Sequence, residues 1–392
     1  MKKVLVPSVR FKGFDEEWKE ERLEYIAKVT NGKSNTSDNN KWGQYNLYIR
    51  SEEIYKSNKY IFDVEGVITV GDGNIGKIFH YVNGKFDLHQ RCYLIYEFQN
   101  IWPKYFYYYF SQNFYKRAIL MSYTATVNSI RMNTITDMDI MFPKELIEQQ
   151  KIGKLLDQIS NLITIEQSKL NKLKQLKQTL LQKMFPEGNS KVPRIRFKGF
   201  EGEWEEKKLE NIYSFASEGG TPDTNKDIYY KPGLFYFTKI EDMANKYIYN
   251  TKAKISELGL KNSSAWIIPK NNILFSNGAT IGNVSINKVD LSTKQGIVGM
   301  IIKKKFNLEF IYYLLKSENF QSKVAEKITV GTIPTVAIFN LKKIELFLSK
   351  NIYEQQKIGD FFSKIDTLIN LYNSKLNKLK QIKEGLLQKM FV

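Results

Sequence analysis

The sequence contains little of the chemistry that enzymes most often use. One cysteine, Cys92, and two histidines, His80 and His89, occur in 392 residues. A lone cysteine cannot form an internal disulfide, and these three residues do not make a metal-ligand set. There is no P-loop and no N-P-P-Y type motif, and Pro222-Asp223 lacks the downstream D/E-x-K of a metal-dependent nuclease. The sequence therefore predicts neither a catalytic site nor a metal or cofactor bound by this chain.

Acidic residues and long apolar runs are also scarce. The chain has 59 Lys and Arg against 41 Asp and Glu, a formal charge of +18 and a pI near 9.4. Clustered basic residues gain free energy by releasing counterions from phosphates, so the charge predicts a polyanionic partner. A lysine-rich solvated surface without a partner is the alternative. With no signal peptide and no apolar run near 18 residues, we expect a cytoplasmic protein without a membrane partner.

One stretch, "TVGDGNIGKIFHY", contains a literal G-x-G-x-x-G at Gly71, Gly73 and Gly76. That motif binds a dinucleotide only where a strand precedes it and a helix follows. Here the following residues are aromatic and β-branched, and Asn83-Gly84 predicts a two-residue hairpin turn. We therefore expect the glycines to serve a backbone bend.

The sequence contains an internal repeat. "EQQKIGKLLDQISNLITIEQSKLNKLKQLKQTLLQKMF" at 148–185 returns at 354–391 with 24 of 38 positions identical. "RFKGFDEEWKEERLEYI" from Arg10 similarly returns as "RFKGFEGEWEEKKLENI" from Arg196, and the second copy holds 20 more residues between its two similar ends. Only scattered positions match inside the copies. They are Gly73 and Gly76 with Gly278 and Gly282, Gln90 with Gln295, and Arg50 with Lys239, and "SNGATIGNV" in the second copy lacks the G-x-G.

The similar segments predict two long amphipathic helices. Apolar residues recur every three or four positions, and 38 residues at about 1.5 Å each span roughly 57 Å. Such a stripe needs a partner, and the nearest is the other copy; the alternative is that each helix packs on its own domain. The predicted packing residues are Ile152, Leu156, Ile159, Leu173 and Leu180 in the first helix, and Ile358, Phe362, Ile365, Leu379 and Leu386 in the second.

The intervening blocks predict an α/β (α+β) fold. Strand-like pieces such as "GVITV" and "CYLIY" alternate with helix-like pieces such as "WPKYFYYYFSQNFYKRAIL". The predicted domains are 1–147 and 187–353, the second including a linker, with long helices at 148–186 and 354–392.

The order of these parts resembles the specificity subunit of type I restriction-modification enzymes. The resemblance covers nearly the whole chain: variable block and conserved helix, twice over, "RFKGF…EW" before each block, "GGTPDT" at 219–224, and "P..L.EQQKIG" from Pro143. The first copy departs from it, with "NGKSNT" in place of the "GGTP" turn.

This resemblance implies a non-catalytic subunit that reads double-stranded DNA. Two target-recognition domains, held apart by an antiparallel coiled coil in a pseudo-twofold repeat, would each read one half of a bipartite, asymmetric site. The helices would dock two modification (methyltransferase) subunits, which carry S-adenosylmethionine, and restriction (ATP-dependent translocase and endonuclease) subunits would join them.

Base edges need polar side chains and phosphates need Lys or Arg, which selects residues in loop-like stretches of both copies. The predicted DNA-binding residues are Arg50, Lys77, Arg91, Asn128 and Arg131 in the first copy, and Lys239, Asn277, Thr280, Lys294 and Thr332 in the second. Two rival functions stay open: a stand-alone DNA methyltransferase, which predicts S-adenosylmethionine binding by the isolated chain, and a basic coiled-coil scaffold without specific DNA recognition.

Overall fold

A computed structural model describes residues 5–124, 128–329 and 334–392 of the chain. The chain forms two compact units. The first comprises the chain up to Ser168 together with Ser374–Val392, and the second comprises Lys169–Asn373. Each unit therefore contains one globular block, the beginning of one long helix and the end of the other.

The first unit is built around a six-stranded sheet in the order β2-β7-β5-β6-β3-β4, in which β3 and β6 are parallel. A separate antiparallel pair, β1 with β10, lies at the start and end of the block. The strands are β1 (Lys19–Arg22), β2 (Lys28–Asn31), β3 (Tyr45–Tyr48), β4 (Ile54–Ser57), β5 (Phe62–Val70), β6 (Phe79–Leu88), β7 (Cys92–Tyr96), β8 (Tyr123–Thr124), β9 (Asn128–Ser129) and β10 (Asp139–Phe142). The helices are α1 (Leu23–Ile26), α2 (Pro103–Leu120), α3 (Met132–Thr136) and α4 (Leu146–Lys183).

The second unit divides its strands between a five-stranded sheet, β12-β19-β16-β17-β14, and a three-stranded sheet, β15-β13-β18. The pair β11 with β20 repeats the β1–β10 pair. The strands are β11 (Glu205–Lys208), β12 (Tyr213–Glu218), β13 (Phe235–Thr238), β14 (Tyr247–Ile248), β15 (Ala253–Ile255), β16 (Ile273–Ser276), β17 (Val284–Asn287), β18 (Leu291–Thr293), β19 (Ile297–Ile302) and β20 (Glu345–Leu348). The helices are α5 (Glu257–Lys261), α6 (Leu308–Lys316), α7 (Glu318–Ala325), α8 (Ile338–Leu341) and α9 (Ile352–Lys389).

The glycine-containing stretch between β5 and β6 is the loop of an antiparallel hairpin, which confirms the predicted backbone bend. The predicted turn at Asn83-Gly84 is wrong. β6 runs straight through both residues, and they pair with Glu65 and Val64 of β5 in an unbroken register. The apolar pairing of β5 with β6 extends beyond the Asn-Gly dipeptide on both sides, so the sheet overrides the local turn preference.

Both long helices form as predicted, and they pack antiparallel within each unit. In the first unit, Ile152 and Leu156 near the start of α4 share a core with Met390 and Phe391, which follow α9. Farther along α4, Glu166 accepts a charged hydrogen bond from Lys375 at 3.0 Å. Residue numbers thus rise along one helix as they fall along the other.

The second unit repeats this arrangement with the helices exchanged. Phe362 of α9 shares a core with Met184 and Phe185, which follow α4, and Lys177 forms a 2.5 Å ion pair with Asp366. The predicted stripe therefore has two uses in each helix. The beginning packs on its own block, and the end packs in the other unit.

The structure also places most of the extra residues of the second copy. Strand pairing makes Tyr48 equivalent to Thr238, and Val67 equivalent to Ile273. Nineteen positions separate the first two equivalents along the chain and 35 separate the second two, so 16 added residues lie between β13 and β16. They account for β14 and α5, whereas β15 pairs with β13 in the same register as β4 pairs with β3 and is therefore the counterpart of β4. In the described part of the chain, no helix combines the length and apolar character that crossing a membrane requires.

Candidate nucleic-acid interface

The two repeated motifs meet in the first unit through a buried ion pair. The guanidinium of Arg10 donates to both carboxylate oxygens of Glu148 at 2.7 and 2.9 Å, and only 1% of the Glu148 side chain is exposed. The next residue, Gln149, accepts from the backbone N–H of Trp102 at 2.7 Å and donates to the Pro143 carbonyl at 2.8 Å. "RFKGF" and "EQQKIG" therefore fasten the start of the block to the start of α4.

The same connection recurs in the second unit. Arg196 donates to Glu354 at 2.6 and 3.0 Å, and Gln355 accepts from Asn307 N–H at 2.9 Å. Glu354 has one more partner than Glu148, because the Ser349 hydroxyl also donates to it. A buried bidentate pair of this kind is a scaffold element, which explains why these residues are alike in both copies.

At the hairpin loop of the first unit, two arginines converge on one acid. Arg50 donates to both oxygens of Asp72 at 3.1 Å, and Arg91 donates to the same carboxylate at 2.7 Å. Asp72 is 6% exposed, whereas the two arginine side chains are 43% and 63% exposed. The carboxylate thus fixes the root of a positive patch whose guanidiniums face solvent. Two of the predicted DNA-binding residues are brought together here.

His89 lies against this cluster and is held neutral. Its Nδ1 accepts from the backbone N–H of Arg91 at 3.1 Å. Burial, followed by the positive charge of Arg50, lowers the pKa of His89, while Asp72 opposes the shift. Burial also raises the pKa of the Cys92 thiol to about 12, so that thiol is unreactive.

The arginine cluster borders a cleft of about 240 Å³, here called the first cleft, whose walls include Asn31, Asp72, Gln90, Arg91 and Ser129. Its floor is a fixed backbone arrangement. Gly71 N–H donates to the Arg91 carbonyl at 2.8 Å, and Ile130 N–H donates to the Gly71 carbonyl at 2.9 Å.

The second unit has the same backbone arrangement and an equivalent cleft. Asn277 N–H donates to the Gly296 carbonyl at 3.0 Å, and Val336 N–H donates to the Asn277 carbonyl at 2.8 Å. The second cleft, of about 370 Å³, has walls that include Glu218, Ile240, Gly278, Lys294, Gln295 and Gly296. The strand registers make Gln295 the counterpart of Gln90, and Glu218 the counterpart of Asn31.

The charged cluster of the first cleft has no counterpart in the second. Strand pairing and the shared backbone bonds put Ile240, Gly278 and Gly296 where the first unit has Arg50, Asp72 and Arg91. The expected alignment of Arg50 with Lys239, and of Gly73 with Gly278, is therefore wrong by one residue. Lys239 follows Thr238 directly, and Ala279, with φ of +55°, takes the place of Gly73.

The remaining predicted residues of the first copy lie on the same loops. Lys77 is exposed in the hairpin loop, with Nζ 5.5 Å from the centre of the Tyr115 ring. Asn128 is exposed, and its carbonyl accepts from Gly73 N–H at 2.9 Å. Arg131 directly precedes α3. All five residues chosen from the first copy therefore belong to the hairpin loop or to segments next to it in the chain or in space.

In the second copy the choices divide. Lys294 lies on the wall of the second cleft, and Lys239 and Thr280 are exposed. Asn277 is 4% exposed and donates to the Val336 carbonyl at 3.1 Å, so its side chain supports the loop backbone. Thr332 lies outside the described residues.

Sequence reasoning missed Asn31, Asp72 and Glu218. Asn31 is the first residue of "NGKSNT" and precedes Gly32, and Glu218 precedes Gly219, the first residue of "GGTPDT". Gly32 N–H donates to the Cys92 carbonyl at 3.2 Å, and its counterpart Gly219 donates to the Ile297 carbonyl at 3.0 Å. The shared glycine was therefore a usable signal for the wall residue before it. The first copy keeps this turn although its letters differ.

The long helices also carry exposed aliphatic side chains at repeated positions. Three pairs related by the 206-residue repeat are each 44 to 61% exposed: Leu162 and Leu368, Ile165 and Leu371, Leu176 and Ile382. Scattered apolar residues on a surface are ordinary, but the same three positions repeated in both copies indicate one interaction presented twice.

No group of three or more His, Cys, Asp or Glu side chains is placed to hold a metal ion among residues 5–124, 128–329 and 334–392.

Comparison with known proteins gives one consistent family. The family model "Type I restriction modification DNA specificity domain" matches residues 15–175 and again 201–381. The MjaIX type I restriction enzyme specificity subunit of Methanocaldococcus jannaschii is 32% identical over 194 residues, 48% of this chain and 44% of that protein. The EcoR124I/EcoR124II specificity subunit of Escherichia coli is 26% identical over 231 residues, 58% and 54% of the two chains.

The alignments thus span about half the length of these two relatives. The fold match is more extensive. The crystal structure of the type I restriction-modification S subunit from M. genitalium superposes with a TM-score of 0.69 over 99% of each chain, at 15% identity. The two family matches cover most of the sequence and fall on its two copies, so this chain belongs to the specificity subunits of type I restriction-modification systems, with one DNA specificity domain in each half.

Proposed function

We propose that the two units read the two parts of a bipartite, asymmetric double-stranded DNA site, and that the chain is the non-catalytic reader of a larger complex. The observation that carries this proposal is the pair of equivalent clefts. Both stand on the same backbone arrangement, whereas their walls present different chemistry. Two domains that read different DNA sequences need a common backbone arrangement and different side chains on the surface that contacts the bases.

The charge of the loops supports contact with the DNA backbone. Arg50, Arg91 and Lys77 in the first unit and Lys239 in the second are exposed at or beside the clefts. Such side chains neutralise phosphates and set the register of the protein on the duplex, while other cleft residues distinguish bases. We assign these four residues and Lys294 to phosphate or base contacts, and Asn128, Arg131 and Thr280 to the same surface. This role places the protein with DNA in the cytoplasm.

The repeated aliphatic positions on the long helices support two docking sites for identical partners. We propose that these partners are two modification subunits, which bind S-adenosylmethionine and methylate DNA, and that restriction subunits join through them. Replacing Ile165 or Leu371 with Glu puts a charge on one apolar patch. Each variant is expected to retain one modification subunit of two, measured as mass by light scattering of the co-purified complex.

Reconstitution with its modification subunit tests the proposed function. Genomic methylation mapping of cells that express both proteins is expected to show one bipartite motif. Exchange of residues 15–147 for the block of a relative is expected to change one half of that motif and leave the other unchanged. Changes in both halves would contradict independent readers.

The rival functions give other results in the same assays. A stand-alone methyltransferase would bind S-adenosylmethionine and methylate DNA as the purified single chain. A scaffold without DNA recognition would leave the methylated motif unchanged when residues 15–147 are exchanged.

A further inference from the structure

We infer that base discrimination takes place at the two clefts, and that Glu218 in the second cleft selects a base with an exocyclic amino group, cytosine through its N4. The inference rests on the proposed function and names the residue chemistry behind it. Asn31 is the counterpart of Glu218 in the first cleft, where two guanidiniums also stand.

The Glu218 carboxylate is held in place by the backbone of the opposite wall. Its Oε1 accepts from Gly296 N–H at 2.6 Å, while the adjacent Gly219 is tied to the Ile297 carbonyl. Within the residues that the structure describes, Oε2 makes no hydrogen bond. A carboxylate with one oxygen fixed and one available is a directional acceptor.

Space in front of this carboxylate comes from two glycines. A Cβ added to Gly278 would lie 3.2 Å from the Gly296 Cα, so the two backbones pass each other closely. The equivalent positions in the first unit carry Asp72 and Arg91, whose side chains bond at 2.7 Å. The second cleft has no ion pair at these positions, and it is the larger of the two.

The two clefts therefore present opposite hydrogen-bonding groups and opposite charges. The second cleft offers an acceptor flanked by Lys294 and Gln295, and the first offers the guanidinium of Arg91, with Arg50 bonded beside it to the same carboxylate of Asp72. In the major groove, carboxylates accept from cytosine N4, whereas Arg pairs with the O6 and N7 acceptors of guanine. A carboxylate close to DNA also repels phosphates and the acceptor edges of guanine and thymine, so it discriminates by exclusion as well as by attraction.

The variant Glu218→Gln tests this assignment in the reconstituted complex with its modification subunit. The amide both donates and accepts, so one position of one half-site is expected to lose roughly 5- to 150-fold of its preference for cytosine. The other half-site should be unchanged. Glu206→Gln is the matched control, because Glu206 is exposed on β11, outside the wall of the cleft.

A second variant transfers the chemistry to the first cleft and covers the case in which Glu218→Gln fails to fold. Asn31→Glu combined with Asp72→Gly and Arg91→Gly gives the first cleft the carboxylate and the glycine pair of the second. A new preference for cytosine in the half-site read by the first unit would support the inference.

Methylation mapping and the thermal midpoint of each complex are measured together. If the wild-type complex methylates a bipartite site and folded Glu218→Gln keeps every base preference, the inference is overturned while the proposed function stands. Equal loss of methylation at all sequences by a folded Glu218→Gln complex would also overturn it. Absence of a bipartite motif for the wild-type complex would instead refute the proposed function.

Discussion

The two units are most alike where buried ion pairs and main-chain hydrogen bonds hold the backbone, and they differ most at the side chains that line the clefts. Both units anchor an arginine on a buried glutamate at the start of a long helix, and both form the same cleft floor. At the cleft walls, three charged residues of the first unit become Ile240, Gly278 and Gly296. A shared frame thus tolerates replacement of these three wall residues, because main-chain hydrogen bonds hold the loops in place without the variable side chains.

A similar exchange occurs beside the long helices, where each unit holds a tyrosine with an acid from a different position. Tyr108 donates to Asp157 at 2.7 Å in the first unit, and Tyr313 donates to Asp366 at 2.5 Å in the second. The repeat makes Ser363 the counterpart of Asp157 and Asp366 the counterpart of Ser160. The interaction is retained although its residues have changed places, so the network tolerates either position for its charge.

The largest expected effect is loss of the buried anchor. Arg10→Ala leaves Glu148 buried without its cation and is expected to lower the free energy of unfolding by about 3 to 5 kcal/mol. Arg196→Ala should cost less, because Ser349 still donates to Glu354. Chemical denaturation with hydrogen exchange on each unit measures both.

The control for the anchor is Arg22→Ala. Arg22 pairs with Glu24 and Asp137 on the surface, where solvent screens the charges, so its loss should cost much less than loss of the buried anchor. An Arg10→Ala cost as small as the cost of Arg22→Ala would show that the repeated motif is not the anchor.

The hairpin glycines provide a sharper test of equivalence. Gly76 and Gly282 both have positive φ, +65° and +92°, so alanine at either is expected to cost roughly 1 to 2 kcal/mol of strain. The new Cβ at position 76 would also lie 2.9 Å from the Tyr115 Cα, whereas at 282 it meets only the end of the Gln321 side chain. Thermal unfolding should therefore show the larger loss for Gly76→Ala.

Gly385→Ala is the reference for this pair, since Gly385 lies in α9 with no other residue within 4 Å of the added Cβ. It should stabilise the chain by roughly 0.5 to 1 kcal/mol. Equal losses of thermal stability for Gly76→Ala and Gly282→Ala would mean that the backbone at Tyr115 shifts to make room for the new Cβ.

A smaller effect is expected for a single cleft lysine. If Lys294 contacts a phosphate, Lys294→Ala reduces the slope of log K against log salt by about one. DNA binding by the complex at several salt concentrations measures the slope, with Lys208→Ala on β11 as the control. Altered base preference at an unchanged slope would identify Lys294 as a base reader.

The smallest effect expected is a pH dependence confined to the first unit, which contains both histidines of the chain. Burial lowers the pKa of His80 and His89 in the fold. The unfolded chain therefore takes up protons first, so this contribution is complete above about pH 6.5 and is lost as pH falls below it. Hydrogen exchange at pH 7 and near pH 5.5 should show that β5–β7 lose protection while β16–β19 do not.

His89→Asn keeps an acceptor for Arg91 N–H and removes the titration, so it should reduce the loss. Equal softening of both units at low pH would rule out the histidines as its cause.

Much of the fold could be predicted because it depends on periodicity. The spacing of apolar residues is visible in the sequence itself, both in the helical stripe from Ile152 to Leu180 and in the buried strand β7. Asn83-Gly84 misled because its turn preference is local, whereas the pairing that overrides it joins distant residues of β5 and β6. The repetition of "RFKGF" was visible in the sequence, but the ion pair between its arginine, Arg10, and Glu148 could be identified only from the folded structure.

The clefts were harder to predict because their residues come from four or five separate segments. Arg50 and Arg91 could be chosen by type, since exposed arginines near loops suit phosphates. Asp72 and Glu218 could not, because an acid in a basic protein reads as an ordinary surface charge until its partner is known. Asn277 looked like a polar loop residue, but its hydrogen bond to Val336 uses it inside the protein.

Because each long helix is divided between the two units, the two units complete their cores at different times during translation. Everything in the second unit, Lys169–Asn373, is contiguous and leaves the ribosome as one stretch. The first unit is made earlier, yet its core includes Met390 and Phe391, whose ring packs 5.5 Å from that of Tyr105. The part translated first is therefore the part finished last, and a nascent first block must wait for more than 200 residues before its core closes.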